Sequence, residues 1–406
     1  MKQHNNIPQL RFSEFEGEWE ERPIKNIISD ARLGGNYRNL EISKGLPLIK
    51  MGNIGRGKII LDKKYFLPEN EEYNENDILK NGDFLFNTRN TLELVGKVAI
   101  WQDELPLALY NSNLLRITFN DEIESTNRFI NYLFNTHSTI KSLRRFAIGT
   151  TSVAAIYSRD LYKLKVKYPY LPEQQKIAQF LTAVDKRIQL LTRKKEQLVL
   201  YKKGAMQKIF NREIHFKDEN GKDFPEWEEK KAREIFYNHT NKNHDGELQI
   251  LSSSQEKGMI PRNESGIKIQ ASSKSVKSYK IVEPGDFIIS LRSFQGGIDY
   301  SDFHGICSPA YTVLKNKLPI DKGFFKFYLK KERFINRLSK TTIGIRDGKQ
   351  ITFENFGGLV IPYPSLPEQQ KIAQFLTALD KKIEHTTGEI EKMKEWKRGL
   401  LQKMFV

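Results

Sequence analysis

A single cysteine, Cys307, stands among the 406 residues, so no disulfide can form within the chain and nothing in the framework calls for an oxidising compartment. An uncharged hydrophobic run of about eighteen residues, the length a spanning helix needs, is also missing. The opening segment MKQHNNIPQLRFSEF has no apolar stretch of the kind a secretory leader carries. These absences point to a cytoplasmic protein.

Acidic residues are in deficit as well. Fifty Asp and Glu face 66 Lys and Arg, a formal charge of +16, which favours a polyanionic partner through counterion release. Nucleic acid is the leading candidate; a charge that serves only solubility is the plain alternative. Apolar material is not scarce: 38% hydrophobic and 11% aromatic residues exclude a disordered chain, and the length suits two domains with connecting elements.

Signs of catalysis are few. GNIGRGKI, from Gly52, has the spacing of a phosphate loop in Gly52, Gly57 and Lys58, but Ile59 stands where a magnesium-binding Ser or Thr belongs. A β-prone run follows where a helix is needed, so the stretch reads as a hairpin. Its counterpart, SSSQEKGMI from Ser252, keeps only Gly258. His239 and His244 lie in a polar loop without Cys or acidic partners at ligand spacing, so no metal site is expected. His304 and Cys307 are close in sequence, yet a lone thiol is more often buried than catalytic. There are no paired acids in a nuclease or glycosidase setting and no Asn/Asp-Pro-Pro-aromatic run of the amino-methyltransferase kind. The pattern favours a binding protein over an enzyme.

What the chain has is a repeat. LPEQQKIAQFLTA begins at Leu171 and again at Leu366, and the offset of 195 persists to Phe210 and Phe405. Many residues suit an exposed helical position equally well, so such identity reflects duplication. Weaker echoes precede it: NGDFLFNTRN from Asn81 matches PGDFIISLRS from Pro284, and GEWEE from Gly17 matches PEWEE from Pro225. The plan is two variable and two constant segments in alternation: residues 1–170, 171–210, 211–365 and 366–406.

Each constant segment reads as a helix. Pro172 and Pro367 suit a first helical position, and Glu173 and Glu368 place negative charge in the first turn. Ile177, Leu181, Val184, Ile188, Leu191, Lys195, Leu198, Lys202, Ala205 and Ile209 then fall at heptad spacing. The second copy gives Ile372, Leu376, Leu379, Ile383, Thr386, Ile390, Met393, Lys397, Leu400 and Met404. The tethered copy is the nearest partner, which predicts an antiparallel intramolecular coiled coil with a globular domain at each end; a homodimeric coil is the alternative. Lys195, Lys202 and Lys397 interrupt the rows and must snorkel or face a further partner.

The variable segments alternate β-prone runs (LPLIK, KIILD, DFLFN, KVAIW; LQILS, DFIIS, YTVLK) with Gly, Asn and Asp turns, followed by helical stretches from Ser125 and Lys322. That order predicts α+β domains with antiparallel or mixed sheets. The loops after the echoing strands carry base-reading residue types: Asn87, Thr88, Arg89 and Asn90 in one copy, and Ser290, Arg292, Ser293 and Gln295 in the other. A second pair of loops just before the helices adds Thr150, Thr151 and Ser152, and Arg346, Lys349 and Gln350. The same residue types also serve in solvated turns, so their placement decides.

Over nearly its whole length the chain resembles the specificity subunit of type I restriction-modification systems. The resemblance rests on RFSEFEGEWEE from Arg11, the hairpin around Gly52, NGDFLF and PGDFII, and above all P-x-L-P-E-Q-Q-K-I-A at Pro169 to Ala178 and Pro364 to Ala373. It implies a non-catalytic reader of double-stranded DNA with two target recognition domains and a pseudo-twofold repeat, held apart by paired helices that dock two methyltransferase subunits. Restriction subunits join in the full complex, and S-adenosylmethionine, ATP and magnesium sit on those partners, leaving no cofactor in this chain. The residues implied in docking and in the coil are Pro172, Glu173, Gln174, Ile177, Leu181 and Ile188, with Pro367, Glu368, Gln369, Ile372, Leu376 and Ile383. A homodimeric coiled-coil scaffold binding RNA or acidic proteins is the rival reading, and a divergent nuclease built on the Cys307 region a more distant one.

Residues 171–210 alone carry nine basic and three acidic side chains, from which the first helix is expected to run near phosphates. Reversing Lys194 and Lys195 to Glu should flatten the dependence of DNA affinity on salt; titrations across an ionic-strength series measure that slope, and an unchanged slope removes the helix from the phosphate path.

Overall fold

The computed structural model describes residues 6–38, 44–120, 127–255, 257–265, 276–342 and 351–406. The chain forms two compact units, residues 1–191 with 389–406, and residues 192–388. Both are α+β and both repeat one plan.

In the first unit a four-stranded antiparallel sheet has the order Ile28–Leu33, Leu114–Phe119, Phe84–Asn87, Val98–Ile100. In the second, Phe236–His239, Thr312–Asn316, Phe287–Ile289 and Asp299–Tyr300 take the same positions. Phe84 faces Ile100 and Ile117, and Phe287 faces Tyr300 and Leu314, so the echoing strands sit at equivalent central places. The preceding turn explains the shared Gly-Asp-Phe. Gly82 and Gly285 adopt φ of +92° each, which suits glycine, and the next carboxylate closes the turn: Lys80 N–H donates to Asp83 at 2.8 Å and Glu283 N–H to Asp286 at 2.9 Å. The phenylalanine then enters the core.

Three expected elements differ. KIILD makes only the isolated bridge Ile54–Ile59, because the buried Asn53 side chain donates to the carbonyls of Ile60 and Lys63 and so engages acceptors a neighbouring strand would need. The helical stretch from Ser125 is two helices, Asn127–Phe134 and His137–Phe146, since extended Thr136 caps the second through the amide of Thr139. The stretch from Lys322 likewise divides into Lys322–Tyr328 and Glu332–Ser339.

The constant segments are continuous helices, Leu171–Phe210 of 40 residues and Leu366–Lys403 of 38. Each contributes one half to each unit. In the first unit Ile177, Leu181 and Val184 pack with Leu400, Met404 and Phe405; in the second Ala205, Ile209 and Phe210 pack with Ile372, Leu376 and Leu379. Early positions of one helix meet late positions of the other, so the pairing is antiparallel and intramolecular. Ile188 and Ile383 are half-buried along the same seam. Phe405 stacks on Phe129 at 5.4 Å and meets Trp19 edge-on, while Phe210 meets Phe324 at 5.6 Å. Burying such a ring stabilises by about 2 to 3 kcal/mol.

Two seam lysines find acids rather than solvent. Lys397 pairs with Asp185 at 2.6 Å and lies over the Tyr132 ring; Lys202 pairs with Asp380 at 2.5 Å and lies over Phe327. All three positions in one set are the repeat counterparts of those in the other.

The helix starts are fastened to their own units. Gln174 donates to the carbonyl of Pro169 and Gln369 to that of Pro364, each at 2.8 Å. Glu173 is 3% exposed and takes a bidentate bond from Arg11 at 2.8 and 2.7 Å, with the Trp19 indole donating at 3.3 Å. Glu368 is 4% exposed and accepts from the Trp227 indole, but its Oε2 has no hydrogen-bond partner among the described residues. Burial therefore pushes its carboxyl above the ordinary glutamate value.

Identical residues thus predict opposite outcomes. Glu173→Gln breaks the Arg11 pair and should destabilise by about 2 to 3 kcal/mol; Glu368→Gln should leave stability unchanged or raise it at neutral pH. Because the folded Glu368 holds its proton more tightly than the unfolded one, its stabilising share is complete below the ordinary glutamate pKa and is lost as pH rises through the elevated value. Urea unfolding with unit-resolved hydrogen exchange should show that loss in the parent chain and its absence in Glu368→Gln.

Candidate nucleic-acid interface

In the first unit the fold brings together two segments some sixty residues apart. Ile148–Gly149, Ala154–Ala155 and Arg89–Asn90 form a three-stranded sheet, with Gly149 opposite Ala154 and Ala155 opposite Arg89. Thr150, Thr151 and Ser152 make the exposed tip of its hairpin, closed by Thr150 N–H donating to Val153 at 2.9 Å. Leu92 N–H donates to the Thr151 carbonyl at 3.1 Å, tying the tip to the chain that follows Asn90. Both candidate loops of this unit therefore share one surface.

Its members are not equally free. Asn87 is fully buried: its Nδ2 donates to Met51 and its Oδ1 accepts from the Arg89 amide, so it shapes the turn and cannot reach a base. Thr88 is half-buried with its hydroxyl on the Asn113 carbonyl at 2.9 Å. Arg89 is exposed, and its guanidinium has no partner among the described residues. Asn90 bonds the Thr91 amide through Oδ1, which leaves its amide nitrogen to donate.

In the second unit, Ser293–Gly296 forms a single helical turn after the central strand. Ser290 and Ser293 are 5% and 1% exposed and hold that turn, Ser290 N–H donating to the Ser293 hydroxyl at 2.8 Å. As with Asn87, their hydroxyls are engaged inside. Arg292 and Gln295 are exposed, with Gln255 donating to Gln295 Oε1 at 3.3 Å. Gln255 was missed in the sequence, although the hairpin SSSQEKGMI contains it. Gln255 and Gln295 line a cavity of about 680 Å³ with Lys202, Lys257, Lys326 and Lys330, in which Lys330 pairs with buried Asp299 at 2.7 Å. Arg346, Lys349 and Gln350 lie outside the described residues.

The helix-start residues named for docking divide in the same way. Glu173, Gln174, Glu368 and Gln369 are buried and bonded inside their own units, whereas Pro172 and Pro367 are exposed. Ile177, Leu181, Ile372 and Leu376 are core residues of the helix pairing.

In GNIGRGKI the Gly55 N–H donates to Lys58 at 2.8 Å and Gly57 has φ of +82°, a hairpin turn without a following helix. His244 Nε2 bonds the Tyr279 carbonyl at 3.0 Å. Cys307 is fully buried on a strand, and burial pushes its thiol up to about 12, so no thiolate forms near neutral pH. No group of three metal-binding side chains occurs among the described residues, and no helix among them is long and apolar enough to cross a membrane.

A protein of Methanocaldococcus jannaschii named for the specificity subunit of the type I restriction enzyme MjaX is 27% identical over 417 residues, covering 98% of this chain and 95% of that one. The crystal structure of the S subunit of a type I restriction-modification system from M. genitalium superposes with a TM-score of 0.59 at 17% identity, over 98% of this chain and 99% of that one. A chain from a structure on complex assembly and conformational transition of the type I R-M system gives 0.56 at 18%, over 95% and 97%. At these identities the superpositions speak to fold. The model of the type I restriction modification DNA specificity domain matches twice, at residues 16–200 and 225–395. With one such domain in each half, the chain belongs to the type I restriction-modification DNA specificity family, whose part is to recognise sequence and not to catalyse.

Proposed function

We propose that the chain reads an asymmetric, bipartite DNA target, one half-site through each unit. The observation that carries this is the assembly of Arg89, Asn90 and Thr150 to Ser152 on one exposed surface, where the other unit keeps an arginine, Arg292, but surrounds it with Ser293 and Gln295. Two copies of one framework with different polar tips suit two different short sequences. Arg89 and Arg292 are the bidentate donors for guanine, and Asn90 and Gln295 serve adenine.

On this reading two methyltransferase subunits dock on the repeated helices, and restriction subunits complete the assembly. S-adenosylmethionine, ATP and magnesium belong to those partners. The buried start of each helix moves the docking surface to exposed positions of the helices. The homodimeric scaffold has less support, since the heptad rows are occupied within each unit.

Replacing residues 1–170 with those of a relative, then mapping modified adenines in a host supplying the methyltransferase, should change one half-site and leave the other intact; a change in both would sink the modular reading. Arg89→Ala should relax one base position at a cost of about 1 to 3 kcal/mol in discrimination, read by competition binding with single-base variants.

A further inference from the structure

Three cations of the first unit, Arg56, Lys97 and Arg144, gather around Glu93, whose carboxylate offsets their charge only in part. Arg56, on the Gly55–Lys58 turn, and Arg144, in the last turn of the helix His137–Phe146, both donate to the carbonyl of Glu93, at 3.3 and 3.4 Å. Gly57 N–H donates to Val98 at 2.8 Å, which sets that turn beside Lys97. None of the three makes an ion pair among the described residues. Partial burial, and then repulsion by Arg144 on Arg56 and by Arg56 on Lys97, hold both below their ordinary pKa values against the opposing pull of Glu93. Arg56 also lines a cavity of about 320 Å³ with Lys394, Lys397 and Arg398.

The second unit fills the same positions differently. There Lys257 precedes Gly258 as Arg56 precedes Gly57; the strand pairing puts Gly297 where Lys97 stands; and the repeat offset puts Ser339 where Arg144 stands. The second unit gathers lysines at its own turn, but there Lys202, Lys326 and Lys330 pair with Asp380, Asp302 and Asp299, so the first unit's cluster keeps the larger unpaired positive charge. That cluster has a place: Glu93 follows Leu92, whose amide bonds Thr151 at the tip of the exposed sheet.

We propose that Arg56, Lys97, Arg144 and Arg398 form a seat for phosphodiester groups, holding the DNA backbone against the exposed sheet of the first unit. The inference deepens the reading above and rests on it. It makes the two units electrostatically unequal: the first carries the backbone anchor, and the second relies on the lysine-lined cavity around Gln295. Phosphate contacts fix register without carrying sequence information, so the seat governs affinity and orientation and leaves base choice to the sheet.

The test uses the full chain with whatever subunits co-purify, on duplexes bearing the mapped target or an unrelated sequence, by fluorescence anisotropy across a potassium chloride series. In Lys97→Gln/Arg144→Gln the plot of log affinity against log salt should be shallower by about 2, with affinity for both duplexes lowered on the order of tenfold near 0.1 M salt. Arg144→Lys should keep the parent slope. Both groups reach solvent, and an unchanged melting temperature certifies the fold; if the double variant melts early, Arg144→Gln alone, with a loss of about one in slope, decides. An unchanged slope with target preference intact overturns the seat alone. A reduced slope without target preference overturns sequence reading and keeps the seat, and absence of binding at low salt overturns both.

Discussion

A lysine on the apolar row of a helix pair must find a counter-charge or weaken the pairing, and the chain meets that demand twice in the same way. Lys202 meets Asp380 and Lys397 meets Asp185. In a parallel pairing of the two copies, equivalent positions would face one another, setting Lys202 against Lys397 and Asp185 against Asp380. Like charges at a half-buried seam would oppose that arrangement, whereas the antiparallel one satisfies all four. The aromatic faces of Tyr132 and Phe327 beneath the ammonium groups add to the preference. Partly exposed pairs of this kind contribute little to stability, and their larger effect is on register.

From that register follows the reason for thirteen identical letters. Each helix start serves its own unit in the same manner, with a glutamine on the carbonyl five residues before and a glutamate beneath a tryptophan. The copies remain alike because the contacts are alike. Where the surroundings diverged the match is imperfect: Arg11 completes the first carboxylate, and the second keeps an unsatisfied oxygen. Away from the helices the units share strand order and differ in charge and tip chemistry, as a common frame carrying two readers requires.

Much of this was legible in the sequence. The heptad spacing defined both long helices, since a closed seam needs apolar residues at fixed intervals, and Gly-Asp-Phe announced a turn, a cap and a core strand in three letters. Tertiary burial was not legible. Asn87, Ser290 and Ser293 have the chemistry to read bases, but the turn that follows each central strand consumes their side chains. Glu173 and Glu368 read as first-turn charge, and only the packing of Trp19 and Trp227 against them reveals that they are inside. KIILD has strand composition, yet Asn53 takes the carbonyl of Ile60 within it and that of Lys63 just after it, in place of a ladder. The basic cluster escaped because Arg56, Lys97 and Arg144 come from three distant segments with no common pattern.

Residues 389–406 belong to the first unit, and Phe405 lies between Trp19 and Phe129 in its core. A ribosome making this chain therefore releases the ingredients of the second unit as one uninterrupted stretch, while the first waits for its last pieces until the whole of the second has emerged. The reader encoded first is thus completed last, and a premature stop near the carboxyl end would cripple the amino-terminal half of the molecule.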